Sequence, residues 1–188
     1  MQPSEFEKNV AKHIKGSKPA PVHLWSPPFC GDLEIHIDTN GRWFYQKSEI
    51  KRDRLIKLFA NILKKENEKY FLVTPVEKVG ITVADVPFIA TEIDVITEEQ
   101  NILIKFTTNV GDETYLKEYD QFKILFKKST DEPQPYINVR SNHFAKIDRK
   151  SFYRLVDYCA ETLHKGEKWL GFHSNNIFFP LVKAEQLD

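Results

Sequence analysis

The chain is poor in the residues from which chemical motifs are built. It holds seven glycines in 188 residues. None falls in a phosphate-loop or dinucleotide-binding pattern, so backbone amides are not gathered around a phosphate by those routes. A Gly-x-Ser-x-Gly nucleophile elbow is also absent. The six histidines, at 13, 23, 36, 143, 164 and 173, form no pair at helical metal-binding spacing, and a metal site needs three or four converging ligands. His36 and Asp38 share a strand face and read as exposed polar residues of it. Two cysteines, Cys30 and Cys159, are too few for a stapled secreted scaffold and fit a reducing cytoplasm. No segment approaches the ~20 apolar residues of a membrane helix, and the first residues carry no apolar core of signal-peptide length. Basic and acidic side chains number 27 each, and a net charge of zero gives no reason to expect nucleic acid as a partner. The expectation is a cytoplasmic protein with no cofactor, metal, membrane or nucleic acid.

Aromatic residues are plentiful, with 14 Phe, 7 Tyr and 3 Trp. Each ring buries a large area, so a chain of this length can build one large core or two small ones. Charge is segregated along the sequence. Lys47 to Lys69 carries eight basic and four acidic residues, whereas Val79 to Leu103 has no Lys or Arg and gathers Asp85, Glu92, Asp94, Glu98 and Glu99. Such runs are ordinarily solvated faces.

A repeat is the strongest internal pattern. RLIKLFANILKK at 54–65 and RLVDYCAETLHK at 154–165 match at an offset of 100 in Arg, Leu, Ala, Leu and Lys. Glu68-Lys69-Tyr70-Phe71 is answered by Glu167-Lys168-Trp169-Leu170. Each helical segment follows a turn and an aromatic stretch, Asn40-Gly41 with Trp43 and Asn142-His143 with Phe144. Three elements in one order predict an α+β fold of two small β-rich units. Each is a curled, mainly antiparallel, roll-like sheet with one packed helix. The expected divisions are an N-terminal arm over 1–20, an N-terminal α+β domain over 21–87 and a C-terminal β-rich α+β domain over 88–188.

Local signals fill in this outline. Ser4-Glu5-Phe6-Glu7 has capping-box spacing, and Phe6, Val10 and Ile14 share a helical face, which predicts a short helical arm. Prolines at 19, 21, 27 and 28 favour an extended strap. Leu33 to Asp38 alternates like a half-buried strand, and Asn40-Gly41 turns it back through Arg42 to Gln46. Leu55, Ile56, Leu58, Phe59, Ile62 and Leu63 form a helical stripe. Tyr70 to Thr74 is a strand stopped by Pro75, and 76–128 reads as a β-meander. A second helix is expected from Arg149 to Leu163, capped by Asp148. Its buried stripe would hold Phe152, Leu155, Val156, Cys159 and Leu163, making Cys159 a core thiol. Cys30 is placed in a loop. Strands at 169–173 and 177–181 would close the sheet.

Several segments also carry a resemblance. They are His23-Leu24-Trp25, Pro27-Pro28-Phe29-Cys30-Gly31-Asp32, Gly41, Trp43-Phe44-Tyr45, Leu58-Phe59, the run from Tyr70 to Ile81, Pro87-Phe88, and Thr108-Asn109-Val110-Gly111-Asp112. Together they resemble a bacterial family of uncharacterised proteins catalogued as domain-of-unknown-function family 1285. The likeness spans 22–181 and is strongest before Asp112. It implies a two-part α+β fold with repeated β-rich motifs and a role in signal transduction. It supplies no catalytic or binding residues to carry over.

The leading functional expectation is a non-enzymatic ligand-binding or signalling module with a cleft where its two units meet. Trp43, Thr74, Glu77, Lys78, Asn109, Asp112 and Arg140 are the candidate ligand-binding residues. Glu77 and Lys78 would orient a charged ligand, Trp43 would stack, and Thr74 and Asn109 would hydrogen-bond. The partner is then an unidentified small molecule or protein. A second expectation is an interaction scaffold, homodimeric through a strand edge or through the basic face around Arg54, Lys57 and Lys64. A third is a hydrolase or transferase using Asp38, Glu77 and Asp94.

Overall fold

The computed structural model describes Val10 and residues 19–98, 101–127 and 132–186. The helical arm expected near the start lies outside these residues except for Val10, which is buried. The chain divides into two compact units, residues 1–87 and 88–188. No helix among the described residues is long and apolar enough to cross a membrane.

The first unit is two three-stranded meanders with a helix between them. The first meander is β1 (Phe29–Ile37), β2 (Trp43–Tyr45) and β3 (Ser48–Glu49). The helix α1 (Asp53–Asn61) leads to β4 (Leu63–Glu66), β5 (Lys69–Val73) and β6 (Lys78–Val83). The sheet runs β3-β2-β1-β6-β5-β4, and β1 pairs with β6 in parallel while the other neighbours are antiparallel. Alternation along β1 points Ile35 and Ile37 inward. They share the core with Trp43, Phe59, Ile62, Leu72 and Val73. The indole of Trp43 packs 6.2 Å from the Phe59 ring.

The second unit repeats this plan. Its meanders are β7 (Phe88–Glu98), β8 (Asn101–Thr108) and β9 (Glu113–Leu116), then β10 (Phe122–Phe126), β11 (Pro133–Arg140) and β12 (His143–Ile147). The sheet order is β10-β11-β12-β7-β8-β9, with β7 and β12 parallel. In both units, therefore, the first strand of the first meander joins the last strand of the second. The helix has moved, however. A 3-10 turn at Tyr119–Gln121 separates the meanders here, and α2 (Arg149–Val156) follows the second one. A third meander comes after it, made of β13 (Ala160–His164), β14 (Glu167–Ser174) and β15 (Ile177–Lys183). Phe172 and Phe179 stack at 5.3 Å, and Phe122 meets them edge-on at 5.4 and 6.0 Å. Buried Ser174 ties the third sheet to the larger one. Its hydroxyl accepts from the Ile104 N–H at 3.0 Å and donates to the Leu116 carbonyl at 2.6 Å.

One hairpin design is used twice. At 38–42 the Asp38 N–H donates to the Arg42 carbonyl (3.0 Å), and the Asp38 carboxylate accepts from the Arg42 N–H (2.9 Å). At 108–112 the Thr108 N–H donates to the Asp112 carbonyl (2.9 Å), and the Thr108 hydroxyl accepts from the Asp112 N–H (3.0 Å). Both turns need a left-handed residue at the fourth position, supplied by Gly41 at φ 70° and Gly111 at φ 89°.

The fold class and the duplication are as expected, but both helices are shorter than their stripes suggest. Beyond Asn61, buried Ile62 is the turn that ends the helix and buried Leu63 begins a strand, because β4 pairs with β5 through Leu63 and Leu72. Beyond Val156, the Tyr158 and Cys159 amides close tight turns onto Leu155 and Val156, and β13 begins. Leu163, placed on a buried helical stripe from sequence, is a strand residue 72% exposed. Cys159 follows the helix rather than lying on it. It is half-buried, and burial pushes its thiol up to about 11. Cys30 stands on β1, not in a loop, and is exposed. The strands at 169–173 and 177–181 form their own sheet instead of closing the six-stranded one.

Candidate functional site

Two of the segments that carry the family resemblance, Phe29-Cys30-Gly31-Asp32 and Tyr70 to Ile81, meet in the first unit. Parallel pairing of β1 with β6 brings them together, and that seam is irregular. Phe29 pairs with Lys78, Asp32 with Gly80, and His36 with Thr82. Strand β1 thus advances seven residues while β6 advances four. Gly31, at φ 100°, takes up part of the excess. The corresponding seam of the second unit is regular, pairing Ala145, Lys146 and Ile147 with Phe88, Ile89 and Ala90 in step. The shared topology does not require the bulge.

The bulge sets the Asp32 carboxylate above Gly80. A Cβ at position 80 would overlap Asp32 Oδ1 and lie 3.7 Å from Phe29 Cε2. The Phe29 ring meets Phe71 edge-on at 6.1 Å. The Lys78 ammonium lies 4.9 Å from the Phe71 centroid and 3.0 Å from Glu66. Hydrogen bonds from Lys64 and Lys78 hold the Glu66 carboxyl below its ordinary value. Farther along the seam, His36 Nδ1 lies 3.0 Å from the Thr82 hydroxyl. Among the described residues the Asp32 side chain forms no hydrogen bond or ion pair. Two grooves flank the bulge. One of about 400 Å³ is lined by Asp32, Phe71 and Gly80, and one of about 470 Å³ by Glu34, His36 and Lys47. Leu33 and Thr82 border both.

Of the residues chosen from sequence, Lys78 belongs to this face. Thr74 and Glu77 form the buried turn before it, where the Thr74 hydroxyl accepts from the Glu77 N–H at 3.1 Å. Glu77 is 6% exposed, and its Oε1 meets no hydrogen-bond donor among the described residues. Trp43 is fully buried in the core of the first unit and offers no ring face to a ligand from solvent. The other three come together in the second unit. Asn109 clips its hairpin to β7, accepting from the Ile89 N–H at 3.0 Å and donating its own N–H to the Ile89 carbonyl at 2.8 Å. Asp112 Oδ2 lies 3.4 Å from Arg140 Nε, and the guanidinium covers the Phe88 ring at 5.0 Å. Burial raises the Asp112 carboxyl above its ordinary value against the opposing pull of Arg140, and burial lowers Arg140 in turn. Asp38 and Asp94, named from sequence as carboxylates for catalysis, are ion-paired to Arg42 and Lys105.

Sequence reasoning missed Asp32, Gly80, Phe71 and His36 as a group. The stretches that hold them were visible, but only strand pairing places them on one face. Among the described residues, no group of three or more His, Cys, Asp or Glu side chains could hold a metal ion.

Family comparison agrees with this architecture. Residues 20–86 match the N-terminal domain of a domain of unknown function, DUF1285, and residues 87–181 match the C-terminal domain of the same family. The chain belongs to the DUF1285 family. A crystal structure of a DUF1285 protein from Silicibacter pomeroyi DSS-3 is 44% identical, with a TM-score of 0.85 over 96% of this chain and 97% of that one. Another from Shewanella baltica OS155 is 25% identical, with a TM-score of 0.54 over 66% of this chain and 91% of that one. No match is found among curated proteins.

Proposed function

We propose that the protein is a non-enzymatic ligand-binding or regulatory module, and that its ligand seats on the β1–β6 seam of the first unit. The observation that carries this reading is the excess of β1 residues opposite Gly80, where the duplicate seam is regular. Bulges re-aim side chains and gather beside functional sites. Here the bulge lifts an unengaged carboxylate over a floor that lacks a side chain, between aromatic walls. Such a surface takes a small molecule that donates hydrogen bonds to Asp32 and lays an apolar part on Phe29 and Phe71. A thermal-shift screen of small metabolites against the wild-type chain, Asp32→Asn and Gly80→Ala tests it. A hit should stabilise the wild type and lose most of that effect in both variants. Hits that stabilise all three proteins equally, or no hits, count against the site.

A second reading is an interaction scaffold. It is favoured by β10, an edge strand with Leu125 50% and Phe126 57% exposed. Light scattering at increasing concentration, on wild type and Phe126→Lys, distinguishes it.

A further inference from the structure

We infer that the second unit holds a separate binding pocket for a small carboxylic acid with an apolar body. The pocket lies where β11 begins, β12 ends and α2 starts, and encloses about 280 Å³. That is close to the lower bound of ~300–1,000 Å³ common for ligand pockets. Pro135 and Phe152 supply apolar wall, and Lys146, Arg149, Tyr153 and Glu132 supply the polar groups.

The cations are arranged as if for an anion. Arg149 is oriented by the Tyr153 phenol, to which it donates from Nε at 3.0 Å and from Nη2 at 2.8 Å. The guanidinium also lies 5.3 Å from the Tyr153 ring centroid. One edge of the planar fork is used in this way. Nη1 donates to nothing among the described residues, which leaves the outer edge for a carboxylate. Lys146 is only half-exposed, and it too has no ion pair among the described residues. The adjacent acid is already engaged, since Asp148 caps α2 by accepting from the Ser151 N–H at 2.7 Å. The helix dipole does not account for Arg149. A cation in the first turn opposes the helix dipole, and that turn contains no acid. Glu132 attracts Arg149 through space without forming a hydrogen bond, so a ligand carboxylate would compete with it. Two cations against one acid, with apolar walls, favour a monocarboxylate over inorganic phosphate.

Amide chemical-shift mapping on the full chain tests this, with benzoate as probe and benzamide and inorganic phosphate as comparators. Benzoate should shift the Lys146, Arg149 and Phe152 amides saturably. Loss of one charge-assisted hydrogen bond implies roughly tenfold weaker binding for benzamide, and for benzoate to Arg149→Met or Lys146→Met. Phosphate should bind more weakly than benzoate because it gains nothing from the apolar wall. Glu132→Gln should tighten benzoate binding, an effect that loss of folding cannot imitate. The inference is overturned by benzoate shifts that do not saturate, by equal binding of benzamide or phosphate, or by an affinity indifferent to all three substitutions.

Discussion

Replacing Gly80 with alanine separates a movable carboxylate from a packed one. The new Cβ would overlap Asp32 Oδ1 and sit 3.1 Å from its Cγ. Asp32 is an exposed side chain with no hydrogen bond among the described residues, so it can rotate away. Rotation into a less favoured position costs ~0.5–1.5 kcal/mol. Gly80 has ordinary strand backbone without positive φ, so alanine recovers ~0.5–1 kcal/mol of chain entropy. The two effects nearly cancel, and Gly80→Ala should lie within about 1 kcal/mol of wild type while displacing the carboxylate. Gly171 is the contrasting case. A Cβ there would meet the Phe179 carbonyl and lie 2.6 and 2.8 Å from Phe178 ring atoms. Backbone and a packed ring cannot swing clear, so Gly171→Ala should cost roughly 1–3 kcal/mol. Urea denaturation followed by circular dichroism reads both values. Equal losses at the two positions would mean that Asp32 is wedged in place, and the proposed site over Gly80 would lose its basis.

Three further expectations follow from the second unit. Burial holds the Asp112 carboxyl above 3.8, so its contribution to stability is fully present below that pH and is lost as pH rises through the higher folded value. Wild type should therefore gain on Asp112→Asn as pH falls from neutrality toward 4, measured by urea titration; a pH-independent difference would contradict this. Ser174→Ala strands a buried N–H and a carbonyl that one hydroxyl now joins. The loss should be about 2–3 kcal/mol, with faster hydrogen exchange at Ile104, and unchanged exchange there would refute the bridge. Cys159, pushed up to about 11 by burial, should react with a thiol reagent at neutral pH far more slowly than exposed Cys30, checked by mass spectrometry of each labelled peptide.

Much of the fold was legible because its signals are local. Alternation marked the later half of β1, Asn40-Gly41 marked its turn, and the recurrence near 54–65 and 154–165 marked two helix-plus-meander segments, α1 with β4–β6 and α2 with β13–β15, that take different places in the two units. The helix ends were not legible. Leu63 and Leu163 fit a helical period, but pairing of β4 with β5 and of β13 with β14 outweighs that preference. Trp43 looked like a stacking residue for a ligand, yet an isolated aromatic carries no mark of which side of a sheet it will face. For Asn109, Asp112 and Arg140, the turn at 108–112 was readable, whereas the approach of Arg140 from another strand was not.

Composition and periodicity by themselves settled the class of fold, its division into repeated strand groups and the lack of familiar catalytic motifs, since each is written in neighbouring residues. Only tertiary structure decided that β1 and β6 run side by side out of step, that Asp32 fills the space left by Gly80, and that Glu132 lines one pocket with Lys146 and Arg149. Those are contacts between residues far apart in the chain. The geometry of the first two depends on the register of β1 against β6, strands that no hairpin joins, so no turn in the sequence fixes it.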